Sequence, residues 1–170
     1  MKRGYGTIDV ALAECYNRKK NKWRVRWDIR PDERDYGEGV DSSAVTFMYE
    51  DYTHKPTIDE IKAVVLAWSN EQIDGKILSG FKWRGYDVWL STENQFNYKA
   101  AYDLAVQTNG ASLPVTFKFG STEQPTYYQF DNLTDLSDFY LSAMAYINGT
   151  LTEGWRTKDA IDWSLWSQYL

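Results

Sequence analysis

Cys15 and His54 are the one cysteine and the one histidine of the chain, and their side chains are the first to consider as catalytic groups. A thiol beside an imidazole is the arrangement of a cysteine nucleophile and its base. The sequence places Cys15 at the end of a predicted strand and His54 shortly before a predicted helix, and such a pairing has little specificity. We therefore interpret Cys15 as a small buried thiol and His54 as a residue that leads into a helix.

Two pairs of aspartates have helical spacing, namely Asp135 with Asp138 and Asp159 with Asp162. Residues three positions apart share one face of a helix, and paired carboxylates are the catalytic groups of most glycoside hydrolases. Acidic pairs of this kind are usually part of a solvated helix surface, and nothing beside them in the sequence indicates a buried acid. We interpret both pairs as solvated.

Metal and cofactor sites are not indicated by the remaining motifs. An acidic loop predicted to be mobile, residues 31–42, contains Asp32, Glu33, Asp35 and Glu38 without the spacing of an EF-hand. One cysteine and one histidine exclude a cysteine-based zinc site and any site that needs two histidines. The sequence has no phosphate-binding glycine loop, dinucleotide fingerprint, metalloprotease motif or serine-hydrolase motif. We predict a protein that is not an enzyme and has no metal site and no cofactor.

Length, composition and net charge are typical of one globular domain over residues 1–170. Apolar residues make up 43% and charged residues 25% of the chain, as in ordinary globular proteins. The net charge of −5 argues against general binding of nucleic acid, which requires a basic surface. The longest apolar run, residues 63–68, is too short to span a membrane, so we expect no membrane contact. The N-terminus has no apolar stretch of signal length, so we expect no cleaved leader.

The fold class is predicted to be α+β, and the first third of the chain supplies an N-terminal unit of three antiparallel strands. These strands are centred on residues 8–12, 23–29 and 45–49. In the second strand, apolar and polar residues alternate, so one face is expected to be buried and the other to be wet. The polar face carries Arg24, Arg26 and Arg30. A boundary near 52–56 would separate a β subdomain 1–53 from an α+β part 54–170.

The turn before that second strand is strongly basic. It contains Arg18, Lys19, Lys20 and Lys22. Such a cluster can contact phosphate or an acidic partner, but a solvated hairpin turn is the more ordinary interpretation, and it is the one we adopt.

Three main helices are predicted after residue 54. The first begins at the capping-box pair Thr57 and Glu60 and ends at 79–80. The second begins at a similar pair, Thr92 and Gln95, and reaches about residue 108. Its predicted apolar stripe consists of Tyr98, Ala101, Leu104 and Ala105. The third and longest helix begins at Asn132 and is expected to end at Gly154.

Two hairpins are predicted between these helices. The first occupies residues 81–90 and turns at Arg84 and Gly85, a pair suited to a tight turn. The second occupies residues 115–130, with its connection between Gly120 and Pro125. Together with the three-stranded unit, these hairpins complete an α+β arrangement packed against the three helices.

Aromatic residues are unusually frequent, with 8 Trp, 13 Tyr and 7 Phe. Aromatic side chains supply core volume, and they also dominate the contact energies of interfaces. Most can be placed on packed faces. The exceptions lie in two segments, the hairpin at residues 83–89 and the C-terminal stretch at residues 155–166, although we expect at least one of Trp83 and Trp89 to be in the core. The candidate partner-binding residues of these two segments are Trp83, Arg84, Tyr86, Trp89, Trp155, Trp163 and Trp166.

Several short segments between residues 54 and 163 form a recurring pattern, namely 83–99 (WRGYDVWLSTENQFNYK), 54–57 (HKPT), 73–74 (ID), 77–81 (ILSGF), 113–120 (LPVTFKFG) and 154–155 (GW). This pattern resembles a small domain family of unknown function found in tail-fibre-associated proteins of phages and prophages of gut bacteria. The resemblance includes no catalytic motif, and residues 1–53 are not part of it. It implies a role in a virion, where proteins are commonly cyclic oligomers.

Three functional hypotheses follow from the residues and the resemblance. The leading one is a non-enzymatic structural or adaptor protein of a bacteriophage tail or tail fibre, located in the virion and assembled in the host cytoplasm. Its partners would be other virion proteins or further copies of itself. The alternative is a phage protein that binds and inhibits a host or defence protein inside the cell. A further alternative is a carbohydrate-binding tip, which the richness in Trp and Tyr suggests.

Overall fold

The structure is a computed structural model that describes residues 1–33 and 43–170. The chain forms two compact units: unit 1 contains Met1–Ser69 and Ala160–Leu170, and unit 2 contains Asn70–Asp159. The fold class is α+β, as predicted, with antiparallel strands and three main helices. The single domain over 1–170 and the possible subdomain 1–53 stay predictions. Asp35, Glu38 and the other loop residues 34–42 lie outside the described part of the chain.

The N-terminal sheet of unit 1 has four antiparallel strands in the order β1-β4-β3-β2, whereas the sequence predicted three. The strands are β1 Lys2–Thr7, β2 Ala13–Asn17, β3 Lys22–Pro31 and β4 Ala44–Tyr52. The strand predicted at residues 8–12 is wrong: Ile8 is exposed, and the segment connects β1 to β2.

Close packing against glycines explains why the sequence pattern does not indicate β1. Gly4 and Gly6 interrupt any alternation of side chains, and strand propensity scales count glycine as unfavourable. In the structure the ring of Phe47 lies over both glycines, and a Cβ atom on Gly4 would be 2.5 Å from Phe47 Cε2. The missing side chains therefore allow this strand to pair closely with β4.

The arginine face of β3 is only partly wet. Arg30 is exposed and Arg24 is half-buried, but Arg26 is buried. The Arg26 guanidinium donates to the carbonyl oxygen of Ala11 at 2.7 Å, pairs with Glu14 and lies over the ring of Phe47. The prediction of a uniformly wet face is wrong at Arg26 because Ala11 of the β1–β2 connection and Glu14 of β2 supply partners that make burial of the charge tolerable.

The opposite face of β3 forms the core of unit 1. Val25 and Trp27 pack with Ile61 and Val65, which lie on helix α1 Ile58–Ser79. The capping box at the start of α1 is confirmed: Thr57 N donates to Glu60 Oε2 at 2.8 Å, and Glu60 N donates to Thr57 Oγ1 at 3.3 Å. The sequence signal therefore located this helix start correctly.

The C-terminal segment belongs to the same core. A short helix, α4 Ser164–Ser167, carries Trp166, which is buried. Its indole Nε1 donates to the carbonyl oxygen of Arg26 at 3.1 Å. Trp163 is half-buried and packs against Trp166, with 5.8 Å between ring centroids. Residues 160–170 thus complete the core that β3 and α1 form in unit 1.

Unit 2 contains both predicted hairpins. The first pairs β5 Phe81–Trp83 with β6 Tyr86–Val88. Its turn has positive φ angles at Arg84 (48°) and Gly85 (85°), as a tight type I′ turn requires. The second pairs β7 Val115–Gly120 with β8 Pro125–Phe130. Both hairpins are therefore confirmed.

Helix α2 Thr92–Gln107 has a different cap from the one predicted. Ser91 is the N-cap, and its hydroxyl accepts from Asn94 N at 3.2 Å. Gln95, predicted to close a capping box with Thr92, instead donates from Nε2 to the carbonyl oxygen of Leu90 at 2.7 Å. The predicted capping box is wrong because Ser91, one position before Thr92, is the residue whose side chain accepts from a free backbone amide of the first turn, that of Asn94.

Helix α3 spans Leu133–Asp159. As predicted, Asn132 caps its start, with Oδ1 accepting from Asp135 N, but the helix continues past Gly154. A Cβ atom on Gly154 would be 2.3 Å from Ile73 Cδ1, which lies on α1. This glycine therefore permits close helix packing rather than ending the helix. Asp159 is the last helical residue, so Asp162 does not share a helix face with it.

Candidate functional site

The structure does not bring Cys15 and His54 together. Cys15 on β2 lies opposite Trp23 on β3, and Trp23 lies opposite Tyr52 on β4. Two strand spacings, about 10 Å, therefore separate the backbones of Cys15 and Tyr52, and His54 lies two residues beyond Tyr52, past the end of β4. Cys15 is a half-buried free thiol, and His54 Nε2 lies 2.9 Å from Glu60 Oε1. This geometry does not form a nucleophile and base.

Asp135 and Asp138 lie side by side, and both contact Arg84. Arg84 Nη2 donates to Asp135 Oδ1 at 2.9 Å and to Asp138 Oδ2 at 3.3 Å. The hydrogen bond from Arg84 holds the pKa of Asp135 below its ordinary value, which is opposite to what a general acid needs. Across residues 1–33 and 43–170, no three His, Cys, Asp or Glu side chains form a group able to hold a metal ion.

Trp83 is a core residue, as expected for at least one tryptophan of this hairpin. Its ring is surrounded by other buried aromatic rings at centroid distances of 5.4–6.3 Å, namely those of Phe119, Phe130 and Phe139. Its indole Nε1 donates to Asp138 Oδ2 at 3.0 Å. This candidate has no free polar atom and no exposed face for a partner.

Arg84 and Tyr86 are occupied within unit 2. The Arg84 guanidinium lies 4.4 Å from the centroid of the Trp83 ring and donates to the Tyr128 hydroxyl at 3.3 Å. The hydrogen bond to Asp135 raises the pKa of Arg84 above its ordinary value. Tyr86 is half-buried against Tyr128, 5.7 Å away. The tip of the β5–β6 hairpin is therefore an internally paired cluster.

Trp89 and Trp155 are the exposed members of the predicted set. Trp89 is 50% exposed and Trp155 is 54% exposed. Trp163 and Trp166, by contrast, belong to the core of unit 1. The seven candidates consequently divide into a packed or internally bonded group and two exposed indoles.

A groove of about 380 Å³ lies beside Trp89. Its other wall is the end of β7 and the turn that follows, with Lys118, Thr122 and Glu123. Asn94 of α2 also lines it and donates from Nδ2 to the Trp89 carbonyl oxygen at 2.8 Å. The sequence indicated Trp89 but not the opposite wall, because that wall comes from a turn about thirty residues further along the chain.

The solvent-facing side of α2 carries a row of apolar residues that the sequence analysis did not predict. Phe96 is 71% exposed and Leu104 is 52% exposed, with exposed Ala100 between them. These three positions are four residues apart and share one helix face. Leu104 was predicted to be in the buried stripe, which in the structure contains Tyr98 and Ala105. We call Phe96, Ala100 and Leu104 the α2 row.

Comparison with protein-family models, with curated proteins and with solved structures finds no match to this chain. The resemblance to phage tail-fibre-associated proteins therefore stays an expectation from the sequence. Within the described residues, no helix combines the length and the hydrophobicity needed to cross a membrane.

Proposed function

We propose that this chain is a non-enzymatic structural or adaptor protein of a bacteriophage particle, which acts by binding other proteins of the tail or tail fibre. The observation that carries the proposal is the α2 row. A helix that presents apolar residues on both its core face and its solvent face is suited to being covered on both sides.

The arrangement of α2 gives this proposal its physical basis. On the inner face, Tyr98 packs against Phe139 and Tyr102 stacks on Tyr140, with centroids 5.0 and 4.5 Å apart. On the outer face, Phe96 and Leu104 are exposed to solvent by 71% and 52% of their surface, with respect to the described residues. Burial of apolar area is the main driving force of association, and aromatic residues at the centre of an interface contribute most of its energy.

A second exposed set lies on α3. Leu141 is 56% exposed and Trp155 is 54% exposed. Together with the α2 row, these two residues give unit 2 several exposed apolar side chains of the kind that protein interfaces bury. The net charge of the chain, −5, is compatible with protein partners and unfavourable for nucleic acid.

The test is incorporation into purified particles. Mass spectrometry of virions is expected to detect the chain, and the double variant F96D/L104D is expected to be lost from particles while its circular dichroism is unchanged. V106D is the matched control, because Val106 is 47% exposed on the same helix but lies off the row. Absence of the wild-type chain from particles, with abundant free protein in infected cells, would contradict the proposal and favour the host-directed alternative.

A further inference from the structure

We propose that the groove beside Trp89 is a binding subsite for a neutral saccharide. The proposal does not rest on the α2 row or on a role in a virion, because the groove and the row use different side chains of unit 2.

The Trp89 indole is an exposed ring held on a rigid base. Trp89 directly follows β6, and its chain neighbours Val88 and Leu90 are buried whereas the indole is 50% exposed. Leu90 N donates to the carbonyl oxygen of Leu78 at 2.9 Å, and Asn94 Nδ2 donates to that of Trp89 at 2.8 Å. The backbone that carries the indole is thereby fixed on both sides, which reduces the ordering cost of binding.

The opposite wall is fixed by the β7–β8 turn. Gly120 has φ = 80°, and a Cβ atom there would be 2.4 Å from the Gln124 carbonyl oxygen. Ser121 Oγ accepts from Gln124 N at 3.1 Å and closes the turn. The groove of about 380 Å³ is within the size range of small-ligand sites.

Polar groups on the groove walls are available to a ligand. Lys118, Thr122 and Glu123 make no side-chain hydrogen bond or ion pair with the described residues, and Asn94 uses only its amide nitrogen. Together they offer ammonium and hydroxyl donors with carboxylate and amide acceptors. Ring hydroxyls of a sugar both donate and accept, so they match such a mixed set.

The aromatic wall and the charge balance narrow the ligand class further. The face of an aromatic ring is electron-rich, and it attracts the weakly positive C–H groups on the face of a pyranose. Lys118 and Glu123 carry opposite charges, so the groove has no net charge. Unit 2 contains seven Lys and Arg against eleven Asp and Glu residues, which disfavours phosphate or other anionic ligands. A neutral sugar ring satisfies all of these conditions.

Calorimetric titration with a panel of neutral oligosaccharides (maltohexaose, cellohexaose, xylohexaose and chitohexaose in its N-acetylated form) tests the proposal, with adenosine monophosphate as an anionic stacking ligand. At least one saccharide is expected to bind. W89A is expected to lower its affinity by about tenfold or more, because the stacking surface is lost. W155A is the matched control, since it removes an equally exposed indole outside the groove, and it is expected to bind as wild type.

A second variant keeps the test independent of any structural effect of W89A. E123A leaves the indole in place and removes one acceptor, so it is expected to weaken the same saccharide by a smaller factor. The proposal is overturned if no saccharide of the panel binds, if binding survives W89A unchanged, if W155A abolishes it equally, or if adenosine monophosphate binds the groove and the saccharides do not.

Discussion

The two ends of the β5–β6 hairpin carry tryptophans six residues apart with opposite surroundings. Trp83 is buried, its indole N–H is bonded to Asp138, and Arg84 lies over its ring. Trp89 is half-exposed and lies beside Lys118, Thr122 and Glu123, which make no side-chain hydrogen bond or ion pair with the described residues. Residue type alone therefore does not define a site here: the polar groups at the Trp83 end satisfy one another, whereas three of those at the Trp89 end have no partner among the described residues.

The largest expected difference between the two ends is in stability. W83A is expected to lower the free energy of unfolding by about 3–5 kcal/mol, because it empties a buried aromatic cluster. W89A is expected to change it by less than about 0.5 kcal/mol, as is usual for exposed positions. Urea denaturation of both variants measures this difference. Equal losses would show that the Trp89 indole is part of the core and would contradict the difference in burial between the two tryptophans.

W83F separates packing from hydrogen bonding at the buried end. It keeps an aromatic ring but removes the indole N–H that donates to Asp138, so we expect a loss of about 1–2 kcal/mol. The same denaturation experiment measures it. A loss as large as that of W83A would mean that the hydrogen bond, rather than ring packing, dominates at this position.

Glycines in the two turns provide a smaller contrast. Gly85 has φ = 85°, and a Cβ atom added there would meet open space, so G85A is expected to cost about 1 kcal/mol from backbone strain alone. Gly120 has a similar φ, and its Cβ would also meet the Gln124 carbonyl oxygen at 2.4 Å. G120A is therefore expected to cost more than G85A in thermal or urea unfolding. The reverse order would contradict the tight geometry that shapes the groove wall.

The smallest expected effect concerns pH at the paired end. Asp135 has a folded-state pKa below its ordinary value of 3.8 because Arg84 donates to it. Its contribution to stability is therefore present above that value and lost as the pH falls through the lower, folded pKa. The stability difference between wild type and D135N should shrink on acidification through this range. A difference that grows as the pH falls would give the wrong sign for the Arg84–Asp135 contact.

Much of the fold follows from local sequence signals. The capping box at Thr57 and the Arg84–Gly85 turn located α1 and the first hairpin correctly, because each depends on a few adjacent residues. Long-range contacts were beyond reach: Gly154 has the pattern of a helix end, and only the close approach of Ile73 explains its place inside α3. The prediction that Arg26 is solvated failed for the same reason, since its partners, the Ala11 carbonyl oxygen and Glu14, lie 15 and 12 residues earlier in the chain.

The candidate site was predictable only in part. Composition and turn position singled out Trp83 and Trp89 together, but which of them is buried depends on strand register and on packing with residues 117–139. The second wall of the groove, at Lys118 and Glu123, has no motif, because it comes from the β7–β8 hairpin, about thirty residues beyond Trp89 in the chain. Local spacing also placed Leu104 on the wrong side of α2, since apolar residues occur on both faces of that helix.

If the Trp89 end of this hairpin is open to a ligand and the Trp83 end is closed, the two indoles respond differently in one NMR titration. In a ¹H–¹⁵N spectrum, the indole N–H signals of Trp83 and Trp89 are assigned by their loss in W83F and W89F, and the saccharide that binds in calorimetry is then added. The Trp89 signal is predicted to shift with saturation while the Trp83 signal stays in place. A shift at Trp83 with none at Trp89, or no shift at either, would contradict the account.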